Sequence, residues 1–445
     1  MTTPPPLAAD ASSEPPRLPM KGVVAVVIGN WLEFYDFLVF TFFAVMIGDA
    51  FFPAESAIGR LLGALATFGV GFVTRPLGAA VIGPYADRVG RRAALTLTLL
   101  LMSVGSAMVA LTPPYSRIGI AAPILLVIAR LIQGFSCGGE VGPATTYLLE
   151  SAPPEKRAAI TAWQAYSQQL ASIMGSGLGV ILAATLSKED LYAWGWRIPF
   201  LLGVLIAPVA LYIRRQLPET IAESQTHRST GAVLGELARG HSRPVILGIF
   251  IICGGTISTY VLNYMTTYAI TTLGFAATIA TALTLTGSVA QIAGLATGVW
   301  LDRFGRKRML VAARVIFVMI IYPTYLILTS PEASQTTIIA ANLFINFVFA
   351  IGIGAVYAYM AEAFPQSVRS SGLSILYALG VAIFGGTTQF VVAWLIDATG
   401  NPMVPAWYQI VANVAAIVGV LLLAPHAEVM RERAGRLAAA RGVRP

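Results

Sequence analysis

Glu33, Asp36, Arg75, Arg130 and Glu140 all stand inside long runs of Leu, Ile, Val, Ala, Gly and Phe. A full charge near the centre of a hydrocarbon layer is costly, so an ionisable group kept there marks a functional site unless a neighbour neutralises it. Arg130 is the candidate for holding an anion, because a guanidinium stays protonated and its planar fork fits a carboxylate bidentately. Carboxylates at such depth can take up and release a proton, which makes Asp36 the first candidate for carrying one, Glu33 the second and Glu140 the third. Arg130 also reads as half of a fixed ion pair with Asp36 or Glu33 that ties two helices together. The two readings combine: if a carboxylate competes with an incoming anion for Arg130, protonating it frees the cation, and proton and anion bind as a coupled pair.

Spacing puts these groups on helix faces. Glu33 and Asp36, three residues apart, share a face with Phe40, and Asn30 precedes Glu33 by one turn. Asn30 and Tyr35 join the candidate binding residues. Arg130, Gln133, Cys137, Glu140 and Ala144 recur at intervals of 3, 4, 3 and 4, a polar stripe along one helix. Polar stripes in lipid must face inward. Arg75 stands eight residues before Gly83, about 12 Å of helix. It serves either as a second cation for the ligand or as a lock on the inner gate through Glu33 or Asp36. The second half carries almost no charge within its apolar runs on this reading. Its candidates are polar: Thr256, Thr259, Tyr260, Asn263, Tyr264 and Thr267 on one run, Thr281, Thr284, Ser288 and Gln291 on the next, then Asn342 and Asn346. With Gln164 and Gln168 they describe the rest of a binding chamber, although each also reads as an ordinary interhelical hydrogen bond.

The elements that must position these residues are membrane spans. Only 11% of residues are charged and 56% are hydrophobic, against roughly 25% charged in soluble domains. Apolar stretches long enough to cross a hydrocarbon core of about 30 Å are predicted at 22–47, 57–84, 93–113, 118–150, 157–187, 197–216, 244–271, 277–302, 308–329, 334–363, 368–397 and 404–424. The predicted division is a disordered tail over 1–20, a bundle over 21–216, a polar linker over 217–243, a second bundle over 244–424 and a basic tail over 425–445. Residues 1–20 lack the apolar core of a signal peptide.

The net charge of +8 does not call for nucleic acid, because the basic residues alternate by loop. With the amino terminus in the cytoplasm, Arg60, Arg117, Lys188 and Arg197 fall outside, Arg75 and Arg130 fall within spans, and the remainder face the cytoplasm, as the positive-inside rule requires. Both termini are then cytoplasmic. Cys137 and Cys253 lie within spans, and His227, His241 and His426 in loops or the tail, so neither a disulfide framework nor a metal site is expected. No nucleophile with its base and no phosphate-binding loop appears, which argues against an enzyme; no cofactor is expected.

Two motifs occur twice. G-x-x-x-D-R-x-G-R-[RK] runs through Gly83, Asp87, Arg88, Gly90, Arg91 and Arg92, then through Gly298, Asp302, Arg303, Gly305, Arg306 and Lys307, 215 residues later. E-x-x-P-x-x-x-R runs through Glu150, Pro153 and Arg157, then through Glu362, Pro365 and Arg369, 212 residues later. Two motifs sharing nearly one offset mean a duplicated membrane unit, the construction of secondary transporters.

The paired D-R-x-G-R-[RK] loops, with R-x-x-Q-G at Arg130, Gln133 and Gly134, resemble the major facilitator superfamily over essentially the whole chain. G-N-W-L-E-F-Y-D-F at Gly29–Phe37, R-P-L-G-A at Arg75–Ala79, W-G-W-R-I-P-F at Trp194–Phe200 and A-I-F-G-G at Ala382–Gly386 resemble its metabolite:proton symporter branch. Phe51–Ser56, Gln133–Ser136 and Ala382–Thr387 look most like citrate-type members. The resemblance implies an all-α fold of twelve transmembrane helices in two pseudo-symmetric six-helix bundles, a monomer in membrane lipid of a bacterial inner membrane, and alternating access. It implies uptake of a small carboxylate, such as citrate or a related di- or tricarboxylate, driven by the proton gradient. Export of drugs or metabolites, and symport of a zwitterion such as proline or betaine, stay open. It also supports Asp36, since sugar-transporting relatives place an Asp at the matching position. By the same resemblance Asp87, Arg88, Arg91, Glu150 and Arg157, with Asp302, Arg303, Arg306, Glu362 and Arg369, form a cytoplasmic gate.

Overall fold

The computed structural model describes residues 20–89, 91–138, 148, 157–215, 242–364 and 369–423. Its long helices follow the predicted runs, and several are broken in the middle. α1 joins Met20–Phe42 to Ala44–Phe51 across a 67° bend. α2 joins Ala57–Val73 to Arg75–Val89, and Thr74 at the break donates through its hydroxyl to the Leu131 carbonyl, 2.9 Å. α3 is Arg91–Leu111, α4 Ala121–Gly138, α5 Arg157–Thr185 and α6 Ile198–Arg215. In the second half α7 joins Ser242–Asn263 to Met265–Thr271, α8 is Ala277–Leu301 and α9 Arg306–Thr329. α10 joins Gln335–Ile351 to Ile353–Glu362, α11 runs Arg369–Gly380 and Gly386–Thr399 around the π-helical turn Val381–Gly385, and α12 is Val404–Leu422. Ser56 and Ser334 start α2 and α10 by accepting the amide hydrogens of Gly59 and Thr337.

Seven helices among the described residues are long and apolar enough to cross a membrane on those criteria alone, eight with the bent α1 counted.

The duplication is visible in which helices touch. α1 packs on α5 and α6, α3 on α4 and α6, and α2 on α4; six helices later, α7 packs on α11 and α12, α9 on α10 and α12, and α8 on α10. The bundles meet along two seams, α5 against α8 and α2 against α11, and exchanging the halves turns one seam into the other. Glycine makes the closest approaches possible, as lipid supplies no hydrophobic drive between helices. A Cβ on Gly78 or Gly134 would collide with the carbonyl oxygen of Phe135 or Gly71 between α2 and α4, and one on Gly294 or Gly298 with that of Phe347 or Ile351 between α8 and α10.

Gly134→Ala is therefore expected to lower the melting temperature of the detergent-purified protein, since overpacking typically costs ~1–3 kcal/mol of stability. Gly177→Ala meets only Leu285 Cδ1 at 3.9 Å and should leave it nearly unchanged; equal melting temperatures for the two variants would refute the close α2–α4 contact.

Candidate functional site

Arg130 comes from the inward stripe of α4 and is fully buried. Its Nη1 donates to Gln133 Oε1 at 2.6 Å, Gln133 Nε2 to Ser106 Oγ at 3.0 Å, and Ser106 Oγ to Asp36 Oδ2 at 2.5 Å. Every donor in this relay points the same way, from cation to carboxylate. Arg130 and Asp36 are thus joined through two intermediate side chains on α3 and α4, and the direct ion pair considered between them is not formed. Arg130 Nε and Nη2 and Asp36 Oδ1 make no hydrogen bond. Gly203 on α6 makes room for Asp36, because a Cβ there would strike Oδ1.

Aromatic rings supply what the relay does not. The Arg130 guanidinium lies 4.4 Å from the centroids of both Phe37 and Phe40 and 5.2 Å from that of Phe68. Arg75, also buried, sits 4.6 Å from Phe37 and 4.3 Å from Phe72, so Phe37 is shared by two cations. Each such contact contributes ~0.5–2 kcal/mol, more where water is excluded. Glu33 is buried and interacts electrostatically with Arg75. Tyr260 reaches this box from the second bundle, edge-on to Phe68 and Phe72. It fits because Gly385, in the π turn, has no side chain: a Cβ would stand 2.8 Å from the Tyr260 ring and 3.0 Å from that of Phe72. The A-I-F-G-G motif is this turn.

A cavity opens beside the box. Phe34, Ala165, Gln168 and Gln169 line it from the first bundle; Thr256, Thr259, Tyr260, Arg314, Tyr377 and Asn413 are among its lining from the second. The lining lies toward the end at which α5, α7, α9 and α11 begin, the end bearing the loop Asp302–Lys307. Toward the opposite end the bundles are in contact: Thr267 Oγ1 donates to the Thr41 carbonyl at 3.3 Å, and Gly179 lies against Thr281.

The cavity departs from the sequence expectation in two respects. Arg130 and Arg75 do not line it; Phe37, Phe40, Phe68 and Phe72 enclose them. And the second half does carry a charge within a span: Arg314, eight residues into α9, is buried and faces the cavity. Its Nη1 donates to Asn413 Oδ1 at 2.9 Å and its Nη2 to the Ile251 carbonyl at 3.3 Å. Gln169 is a second cavity residue the reading passed over. Arg314 follows Arg306, Lys307 and Arg308 closely enough in sequence to read as part of the same basic cluster.

Of the other expected binding residues, Gln168 and Tyr260 line the cavity. Asn30 instead donates to the Gln164 carbonyl at 3.0 Å and to Ser167 Oγ at 2.6 Å, tying α1 to α5, and Tyr35 donates to the Pro199 carbonyl at 2.8 Å, tying α1 to α6. Gln291 Nε2 donates to Asn346 Oδ1 at 2.7 Å, Asn346 Nδ2 to the Asn342 carbonyl at 2.8 Å, and Asn342 Nδ2 to the Leu283 carbonyl at 2.7 Å. These three form a ladder between α8 and α10, away from the cavity. Gln164, Asn263 and Tyr264 are buried outside the lining.

At the basic end Arg306 grips Asp302 bidentately, at 3.0 and 2.9 Å, and pairs with Glu362, so the second copies of both motifs meet in one cluster. All three residues belong to the second bundle; the cluster fixes its loop. Arg303 stacks on Trp300, 4.0 Å from its centroid. Glu140 and Glu150 fall outside the described residues, and the side chains of Asp87, Arg88, Arg91, Arg157 and Arg369 outside what the structure describes.

The sequence profile of the Major Facilitator Superfamily matches residues 26–382, and the chain belongs to that superfamily. A citrate-proton symporter of Salmonella typhi is 36% identical over 412 residues, 90% of this chain and 93% of its own length. A citrate-proton symporter of Klebsiella pneumoniae is 36% identical over 403 residues, 90% of both chains. The crystal structure of a D-xylose-proton symporter shares the fold with a TM-score of 0.74 at 18% identity, covering 91% of this chain and 98% of that one. The fold is that of the superfamily: all-α, with twelve helices in two pseudo-symmetric bundles of six.

Gly203→Ala tests the relay. It is expected to cost ~1–3 kcal/mol of stability by displacing Asp36, and less than half of that when Asp36 is also Ala, because the colliding atom is gone. Equal costs in the two backgrounds, measured as a double-mutant cycle, would separate Gly203 from Asp36.

Proposed function

We propose that this chain is a multi-pass inner-membrane symporter that carries a small carboxylate inward with protons, a di- or tricarboxylate such as citrate, with both termini in the cytoplasm. The observation that carries this is the one-way relay from buried Arg130 to buried Asp36. With Asp36 ionised, Ser106 and Gln133 are held toward it and Gln133 holds one arm of Arg130. A proton arriving on Asp36 weakens that hold and frees the guanidinium for an anion, so the two cargoes favour each other's binding. Glu33 acts similarly on Arg75. The relatives whose names speak of citrate and protons support the choice of cargo.

The halves are related so that one seam replaces the other, the geometry needed to rock about a central site. The contacts at Thr41, Thr267, Gly179 and Thr281 close the outer side, and the cavity faces the cytoplasm. Release inward and reloading outward then require the α5–α8 and α2–α11 seams to open at alternate ends. The Asp302–Arg306–Glu362 cluster keeps the loop at the inner mouth in shape while the bundles move.

In proteoliposomes with an acidic exterior, labelled citrate should accumulate. Arg130→Ala should reduce both accumulation and citrate counterflow at least tenfold. Asp36→Asn should keep counterflow within about threefold of the native rate and lose accumulation, since a neutral amide mimics the protonated state but cannot release its proton. Undiminished accumulation by Asp36→Asn would remove it from coupling, and loss of vesicle contents along the gradient without uptake would favour an exporter.

A further inference from the structure

Arg314 is a cation without an anion. It sits about 12 Å along α9 from Arg306, its hydrogen-bond partners are a neutral amide and a backbone carbonyl, and its Nε has none. No carboxylate lies within ion-pair distance of it among the described residues, where Arg60 and Arg306 are the arginines so paired. It is 7% exposed and lines the cavity. The described residues of that lining include no other full charge. A guanidinium at that depth ordinarily points its head toward the membrane surface; this one is held inward by Asn413 and Ile251.

The backbone is shaped around it. A Cβ on Gly254 would stand 3.0 Å from Arg314 Nη1 and 2.9 Å from the Ala412 carbonyl, and one on Gly255 would stand 3.7 Å from Nη2. The absence of a side chain at Gly254 leaves room for the guanidinium against α7, and Arg314 is among the residues that line the hollow. On the first bundle's side are Gln168 and Gln169, whose Nε2 and Oε1 respectively make no hydrogen bond.

From this we propose that Arg314 is a substrate anchor, binding one carboxylate of a di- or tricarboxylate from the second bundle while Gln168 and Gln169 hold its polar groups from the first. The assignment rests on the carboxylate-symport reading above and deepens it. An anion held this way touches both bundles, so its binding bears on their closure. A monocarboxylate, able to satisfy one cation only, is held less well than a ligand whose second carboxylate can turn to the Arg130 and Arg75 box.

Two measurements test it. In counterflow, Arg314→Gln should raise the half-saturating citrate concentration at least tenfold and narrow the preference for tricarballylate over acetate as competitor, with Arg314→Lys recovering part of both. The changed preference is what a merely structural role for Arg314 would not produce. In the native protein, which needs no variant to fold, citrate at saturation should slow modification of Arg314 by phenylglyoxal at least fivefold, read by peptide mass spectrometry, and proline should not. If native protein exchanges citrate while Arg314→Gln keeps the native half-saturation and preference, or citrate leaves the modification rate unchanged, this assignment falls and the symport reading stands. Failure of the reagent to reach Arg314 at all also overturns it, since the hollow would then admit no small ligand. If native protein moves no carboxylate, the symport reading itself fails.

Discussion

Burying a guanidinium in a membrane protein sets a problem that the surrounding structure has to answer. Unpaired, the charge costs several kcal/mol, and pairing it permanently with a carboxylate would settle the cost and end its usefulness. Among the described residues Arg75, Arg130 and Arg314 are buried, Arg75 has Glu33 as an electrostatic neighbour, and Arg130 and Arg314 donate hydrogen bonds to neutral groups instead of forming an ion pair. Arg130 has a hydrogen-bonded amide and three ring faces, Arg75 two ring faces and an electrostatic neighbour in Glu33, and Arg314 an amide and a carbonyl. Quadrupoles and dipoles lower the cost of the charge without cancelling it. That leaves a field to which an anion can respond, and it explains the concentration of Phe residues about Arg130, where ordinary packing could use Leu as well.

The relay adds direction to that field. Hydrogen bonds polarise one another when donors are aligned head to tail, and all three links run toward Asp36. A change at the carboxylate therefore alters what the guanidinium two side chains away can offer, without the two ever meeting. Ser106 stands on α3 and Gln133 on α4, so the exchange also crosses a helix–helix contact, and movement of α1 relative to α4 would reach the same bonds.

Much of this was legible in the sequence because it follows from length and period. Twelve apolar runs, two copies of each loop motif and a polar stripe from Arg130 through Gln133 need only a rise of 1.5 Å and a turn of 3.6 residues. Period also states that a polar residue in lipid faces inward. It does not state whether it meets another helix or a hollow, and that is why Gln291, Asn342 and Asn346, which bond to one another and to Leu283, looked the same as Gln168, which lines the cavity. Arg314 is illegible for a different reason. Its neighbours Arg306, Lys307 and Arg308 belong to a surface cluster, and the groups that hold it inward, the Ile251 carbonyl and Asn413, lie on α7 and α12, far away in sequence.

The duplication separates two tasks. What is repeated is mechanical: the loop motifs, the pairing of helices, and the glycines by which α2 meets α4 and α8 meets α10. What is not repeated is chemical. By the 215-residue offset of the loop motif, Asp36, Arg75 and Arg130 correspond to Ile251, Ala290 and Ile345, and Arg314 corresponds to Leu99. Charges repeated symmetrically would face one another across the centre as like pairs, and the repulsion would favour a state with the bundles apart. Unequal halves avoid this: the first holds a box of two cations with carboxylates beside it, and the second presents a single cation to the cavity. A ligand with more than one negative group then has a reason to touch both, and the pseudo-twofold axis that relates the helices need not relate the groups that hold the cargo.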